Sequence, residues 1–133
     1  MKLTDTNIRE KDFHNKLQSG TGSRVENIFY KSLFNLKKDF FIYLENNTKN
    51  KVVLDYGCGA GVVTEKMINQ KPSKIIGIDI SDVSINKAIQ NAKKLNLNIE
   101  YKVDNCENSN LNSNTFDIIY GSGILHHLNI KNS

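Results

Sequence analysis

The sequence predicts an α/β fold with a doubly wound parallel sheet that follows an N-terminal helical segment. From residue 51 onward, short apolar runs alternate with segments of helical periodicity, which is typical of parallel strands joined by right-handed crossovers. The 133 residues suffice for one hydrophobic core but not for two. One globular unit is therefore expected, with residues 1–50 as a helical segment and 51–133 as the sheet domain.

The N-terminal segment is predicted to contain one long amphipathic helix. A polar stretch ends in the loop sequence SGTGS, and Ser23 followed by Glu26 is a capping-box pattern. Apolar residues then recur at helical spacing, which predicts a helix over 24–46. Its apolar face comprises Val25, Ile28, Phe29, Leu33, Leu36, Phe40 and Leu44.

Four short apolar runs are the predicted strands, and they lie at 51–56, 74–79, 99–103 and 116–121. The first two connections show helical patterns, at 61–70 and 82–96. The third connection, at 104–115, is rich in turn-forming residues, so we expect mainly loop there.

A glycine-rich loop follows the first predicted strand. Gly57 and Gly59 allow a sharp turn and close approach of a ligand, and Gly61 opens the next helix. A dinucleotide fingerprint, G-x-G-x-x-G, would need glycine at Val62, and Asp55 would repel a phosphate group. The loop therefore favours a cationic, phosphate-free ligand. A purely structural strand-to-helix turn stays open as the alternative.

Aspartates also end the second and third predicted strands. Asp79 is placed to accept hydrogen bonds from ribose hydroxyls, Ile80 to cover an adenine, and Asp104 to accept from the adenine amino group. Alternatively, Asp79 caps the following helix, although Ser81 or Asp82 would serve there equally well. Asp104 taken alone would be a solvated loop acid.

The composition argues against several functional classes. The net charge of +4 comes from lysines and arginines scattered among acids, which disfavours a nucleic-acid surface. The apolar segment FFIYL is too short to span a bilayer, and the N-terminus lacks a secretory signal, so a cytoplasmic location is expected. Cys58 and Cys106 have no partners at metal-ligand spacing, so both are expected to be reduced and no metal is expected.

Four motifs in order, VLDYGCGAG, IIGIDIS, VDNCEN and FDIIYGSGILHHL, resemble the S-adenosylmethionine-dependent methyltransferases of the Rossmann-like class. They are most similar to the small-molecule branch that includes ubiquinone and menaquinone methylases. The resemblance covers residues 51–128, and it implies a strand order of 3-2-1-4. It also implies S-adenosylmethionine as cofactor, S-adenosylhomocysteine as product and an unidentified small molecule as methyl acceptor.

The resemblance also implies roles for individual residues. The loop Asp55–Gly61 would hold the methionine portion, Asp79 the ribose, and Ile80 the adenine, with the Gly121–Ser122 region beside the amino acid group. The cofactor-binding residues implied are Asp55, Gly57, Cys58, Gly59, Gly61, Asp79, Ile80, Asp104, Asn105, Cys106 and Gly121.

Residues near the two ends of the chain are candidates for a lid and for a general base. The segment EKDFHNK is similar to a helix that closes over the cofactor in some members, which makes Phe13, His14 and Tyr30 lid candidates. His126 and His127 are candidates for a general base, because an imidazole titrates near neutral pH. Positioning of an already activated methyl group without a base is the alternative.

A complete domain of this class continues beyond the fourth strand, which leaves that strand as an edge in this sequence. The fourth strand is expected to pair with a second copy or another chain, or else the chain is a fragment of marginal stability. A cofactor-binding module without transferase activity of its own is therefore the alternative to an enzyme. A nicotinamide dehydrogenase is disfavoured by Val62 and Asp55.

Overall fold

The computed structural model describes residues 3–19 and 34–128 of the chain. Four α-helices are present in these ranges: α1 (Asp5–Gln18), α2 (Phe34–Asn47), α3 (Val62–Met67) and α4 (Asp82–Lys94). The strands are β1 (Val52–Tyr56), β2 (Lys74–Asp79), β3 (Glu100–Val103) and β4 (Ile118–Tyr120). Short 3-10 segments at Ile68–Gln70, Cys106–Asn108 and Leu125–His127 follow α3, β3 and β4.

The strands form one parallel sheet in the order β3-β2-β1-β4, which is the order that the resemblance implies. The register pairs Leu54 with Ile76 on one side and with Ile119 on the other. The chain steps outward from β1 to β3 through α3 and α4, then returns to the opposite side of β1. This reversal makes the sheet doubly wound and opens a crevice at the carboxyl ends of the strands.

The two faces of the sheet are covered differently. One face packs against helices, and its core includes Leu44, Met67 and Ile85 from α2, α3 and α4. The other face, with Leu54, Ile76 and Ile78, is covered by side chains of the third connection, namely Cys106, Leu111 and Phe116. Because burial of each large aliphatic side chain contributes about 1.5–3 kcal/mol, both layers stabilise the sheet.

The N-terminal helices agree in part with the sequence predictions. The predicted helix over 24–46 is described from residue 34 onward as α2, while 24–33, including Tyr30, and the Ser23 cap lie outside the described residues. Helix α1 has no apolar periodicity that would predict it, because its contacts to the rest of the chain are mainly polar. In the described ranges, no helix combines the length and apolarity needed to cross a membrane.

Candidate functional site

A cavity of about 220 Å³ lies where the strand ends meet helix α1. Its lining comes from the loops after β1, β2 and β3, from α1, and from the turn after β4. Seven of the residues predicted to bind a cofactor line it: Gly57, Cys58, Gly59, Asp79, Ile80, Asn105 and Cys106. The other four, Asp55, Gly61, Asp104 and Gly121, lie outside its wall.

Asp79 is held in place at the cavity by two backbone amides. The Gly59 N–H donates to Oδ2 (2.8 Å) and the Ser81 N–H donates to Oδ1 (2.8 Å). Ser81 is the N-cap of α4, because its Oγ accepts from the Ser84 N–H at 3.0 Å. Asp79 is therefore not needed as a cap, and each carboxylate oxygen keeps a further acceptor position for a ligand.

The glycine loop is anchored to β2 and open toward the ligand. The N–H groups of Gly57 and Cys58 both donate to the Ile78 carbonyl oxygen, at 2.9 and 2.8 Å. Gly59 has φ +55°, and a Cβ built there would have no atom within 4 Å. Position 59 thus needs glycine for its backbone conformation, and it leaves free space next to Asp79.

Asp55 lies beneath the glycine loop, where it is 2% exposed. Its Oδ2 accepts from Thr64 Oγ1 (2.6 Å) and from the Tyr120 hydroxyl (3.0 Å). Burial raises the pKa of Asp55 to about 6, although the hydrogen bonds from Thr64 and Tyr120 act in the opposite direction. In this arrangement Asp55 ties β1 to α3 and β4.

Asp104 organises the loop after β3. It is 5% exposed, so it is not the solvated acid that was one alternative. Its carboxylate accepts from the N–H groups of Asn105 (2.9 Å) and Asn110 (3.0 Å). The next residue, Asn105, lines the cavity and donates to Asn7 Oδ1 at 3.0 Å, which connects this loop to α1.

Helix α1 covers the carboxyl ends of β2 and β3 through polar contacts. Asn7 donates to Glu107 (2.9 Å), Asn15 donates to Asp82 (3.0 Å), and the Ser81 hydroxyl donates to Asn15 Oδ1. Of the lid candidates on α1, His14 lines the cavity, whereas Phe13 is 47% exposed and does not line it.

A cluster of Glu10, His14 and His127, which the sequence does not predict, lies in the cavity wall. Glu10 Oε2 lies 2.7 Å from His127 Nδ1 and 3.9 Å from His14 Nε2, and the two imidazole rings meet edge to face. The spacing of Glu10 and His14 on one helix face is visible in the sequence, but their proximity to His127 is not. The side chain of His126 lies outside the described part of the chain.

Among the described residues, the carboxylates in the cavity wall are not balanced by lysine or arginine side chains. Glu10 and Asp79 are the acids among the described lining residues, which include no lysine or arginine. Burial raises the pKa of the Cys106 thiol to about 12, and it raises that of the Cys58 thiol as well. Both cysteines are therefore neutral at physiological pH, and the cavity favours a cationic ligand.

Comparison with known protein families and known proteins finds similarity to methyltransferases. The family model described as "Methyltransferase domain" matches residues 47–133. The chain is 38% identical over 96 residues to a ubiquinone biosynthesis O-methyltransferase of Pelagibacter ubique, covering 71% of this chain and 39% of that protein. It is 33% identical over 94 residues to phosphoethanolamine N-methyltransferase 3 of Arabidopsis thaliana, covering 71% and 19%.

Solved structures share the fold at lower sequence identity. Magnesium protoporphyrin IX methyltransferase from Synechocystis, solved with bound S-adenosylmethionine, superimposes with a TM-score of 0.72 at 17% identity and covers 98% of this chain and 68% of that one. Geranyl diphosphate C-methyltransferase from Streptomyces coelicolor gives a TM-score of 0.75 at 13% identity, covering 99% and 59%. The chain thus spans well under half the length of the curated relatives named above. Because the family model matches most of its length, the chain belongs to the methyltransferase-domain family.

Proposed function

We propose that the cavity at the strand ends binds S-adenosylmethionine, and that the chain is the cofactor-binding part of a methyltransferase for a small-molecule acceptor. The observation that carries this proposal is the position of Asp79. Its carboxylate ends β2, is fixed by the Gly59 and Ser81 amides, and lines the cavity with acceptor positions to spare. This is the arrangement expected for a carboxylate that accepts hydrogen bonds from two ribose hydroxyls.

The charges of the cavity support a cationic nucleoside. S-adenosylmethionine carries a sulfonium and an ammonium group and no phosphate. A described wall that holds Glu10 and Asp79 without lysine or arginine attracts such a ligand and would repel a pyrophosphate. The open space at Gly59 supplies room for the ligand beside Asp79.

The other predicted residues would either contact the cofactor or support the loops around it. Gly57, Cys58 and Gly59 would hold the methionine portion, and Ile80 would pack on the adenine, with Asn105 and Cys106 at its edge. The residues outside the wall would shape the loops that carry these groups; they are Asp55, Gly61, Asp104 and Gly121.

Transfer to an acceptor is the second part of the proposal. When bound, the cofactor supplies a methyl group that is activated by the positive sulfur. Ser122, Gly123 and His127 line the cavity after β4, on the side where an acceptor would enter. Relatives named for ubiquinone biosynthesis and for phosphoethanolamine support a small molecule as acceptor. A binding module without transferase activity of its own remains the second candidate, since the chain matches only part of these relatives.

Thermal denaturation with ligands tests the proposal. S-adenosylmethionine and S-adenosylhomocysteine should raise the Tm of the chain, and NAD should not, since a ligand that binds the native state stabilises it. Asp79→Asn should weaken binding of both nucleosides by about ten- to a hundredfold, because a charge-assisted hydrogen bond contributes about 1.5–3 kcal/mol.

The matched control is Asp39→Asn, which removes one exposed carboxylate from α2, away from the cavity. It should leave both Tm shifts unchanged. A Tm shift that survives in Asp79→Asn at full size would show that the nucleoside is not held by this carboxylate. Radiolabelled methyl transfer into extracted small-molecule pools then separates the enzyme from the binding module.

A further inference from the structure

We propose that Glu10, His14 and His127 form a binding site for a divalent transition-metal ion, with Zn²⁺ as the best match. Two imidazoles and one carboxylate are a ligand set that zinc adopts in sites with an open coordination position. The three side chains come from α1 and from the turn after β4, and all three line the cavity. The site is separate from Asp79, which is not a member of the cluster.

The distances suit a metal with small side-chain adjustments. The ligand atoms of the three residues lie within 4.8 Å of one another. Zinc–nitrogen and zinc–oxygen distances near 2.0–2.2 Å place ligands of a tetrahedral ion about 3.4 Å apart. The Glu10–His127 contact of 2.7 Å would have to widen, and the Glu10–His14 separation of 3.9 Å would have to shorten. Both of these changes are below 1 Å, and the two histidines, whose ligand atoms lie within 4.8 Å of each other, would also have to approach the ion.

Two of the ligands lie on one helix and the third lies in the turn after β4. Glu10 and His14 are four residues apart on α1, so they project from the same face of the helix. His127 ends a 3-10 turn whose Ile124 packs against the glycine loop, where a Cβ at Gly57 would lie 2.7 Å from Ile124 Cδ1. The third ligand therefore belongs to the turn that contacts the glycine loop.

The carboxylate of Glu10 is available to a cation. Its Oε2 is shielded from solvent and lies close to both imidazoles of the cluster, 2.7 Å from His127 Nδ1 and 3.9 Å from His14 Nε2. The described cavity wall contributes no ammonium or guanidinium group that would neutralise it. A metal ion would compensate the charge of this half-buried carboxylate, and it would also connect α1 to the turn after β4.

The open coordination position defines the kind of ligand that the metal would take. With three protein ligands, a tetrahedral ion would have one position left, and the three side chains that would hold it all line the cavity. An oxygen or nitrogen donor of a molecule in the cavity would fill that position. A hydroxyl or amine bound there would lose its proton more readily than in water.

Titration with Co²⁺, a spectroscopic substitute for Zn²⁺, tests the proposal on the full chain. We expect saturable binding of one ion per chain, with visible absorption of a low-coordinate site and without thiolate-to-cobalt charge transfer. Glu10→Gln and His127→Gln should each weaken binding by at least about tenfold, because each removes one of three ligands. Zn²⁺ should displace the cobalt spectrum.

Two control variants test whether the ion binds at this cluster or at other carboxylates of the chain. Asp12→Asn removes an exposed carboxylate from the same helix and should leave the cobalt spectrum unchanged. Asp79→Asn should also leave it unchanged, so a failure of the nucleoside proposal and a failure of this one are distinguishable.

The wild-type titration alone can overturn the proposal. An absence of absorption change at millimolar Co²⁺ would do so, and so would a thiolate band, since it would assign the ion to Cys58 or Cys106. Folded variants, checked by circular dichroism, that bind as tightly as wild type would do the same.

Discussion

Three aspartates lie at or next to the carboxyl ends of strands, and the structure gives each of them a different environment. Asp79 faces the cavity, Asp55 is buried under the glycine loop, and Asp104 is held within its own loop. All three follow an apolar run, so their sequence contexts are alike. Burial and hydrogen-bond partners distinguish them, and both depend on side chains that are remote in sequence, such as Tyr120 for Asp55.

The raised pKa of Asp55 predicts a pH dependence of stability. An aspartate titrates near 3.8 when unfolded and here near 6, so between these values the folded state binds the proton more tightly. The contribution of Asp55 to the free energy of unfolding is therefore full at low pH. It is lost as the pH rises from about 4 to about 6, and it does not change further at higher pH. In Asp55→Asn the amide oxygen still accepts from Thr64 and Tyr120, but nothing titrates.

Urea denaturation of wild type and Asp55→Asn at several pH values measures this effect. The free energy of unfolding of the variant relative to wild type should increase by up to about 3 kcal/mol between pH 4 and pH 7. Parallel pH profiles for the two proteins would contradict a raised pKa at Asp55.

At the scale of elements, helix α1 closes the cavity through side-chain hydrogen bonds instead of an apolar face. Asn7 is 3% exposed and connects α1 to Asn105 and Glu107, and Lys11 lies 3.3 Å from Asp82. Because these contacts are polar, the sequence of α1 shows little apolar periodicity. Polar docking also lowers the free energy that is needed to separate α1 from the sheet, relative to the free energy of opening the sheet itself.

Asn7→Ala tests this docking. The change leaves the buried Asn105 amide without its α1 partner, which should cost about 1–3 kcal/mol of α1 docking. Hydrogen exchange of α1 amides should become faster, and S-adenosylhomocysteine should bind more weakly, while the exchange of β1 and β2 stays slow. Thr6→Ala, at an exposed neighbouring position, is the control and should behave as wild type. Unchanged exchange in Asn7→Ala would show that other contacts hold the helix.

At the scale of the whole molecule, β4 is an edge of the sheet in the described residues, and Ile119 on it is 61% exposed. An apolar open edge favours pairing with another strand. We therefore expect the chain, studied alone, to self-associate, with a mass by light scattering above the 15.1 kDa of one copy. Ile119→Lys should shift the population toward the single-chain mass. A wild-type chain that is monomeric at every concentration would refute this expectation.

Most of the fold could be predicted because strands and crossovers follow local periodicity. The strand β2 starts at Lys74 and ends at Asp79 as predicted, and the order of the sheet agrees with the resemblance. The site was harder to predict. Asp79 and Gly59 sit at strand and loop ends that the fold itself brings together, whereas Glu10 and His127 meet through the docking of α1. Residues that meet across more than a hundred positions of the chain show no regular spacing in a single sequence.

The cavity is proposed to bind a nucleoside cofactor whose ribose is held by Asp79. Isothermal titration of wild type and Asp79→Asn with S-adenosylhomocysteine and with its 2′-deoxyribose analogue tests it most directly. Wild type should prefer the ribose form by about tenfold or more, and Asp79→Asn should lose most of that preference, since the hydroxyl and the carboxylate interact directly. An equal preference in both proteins, or no binding of either nucleoside to wild type, would show that Asp79 does not hold the ribose of a nucleoside in this cavity.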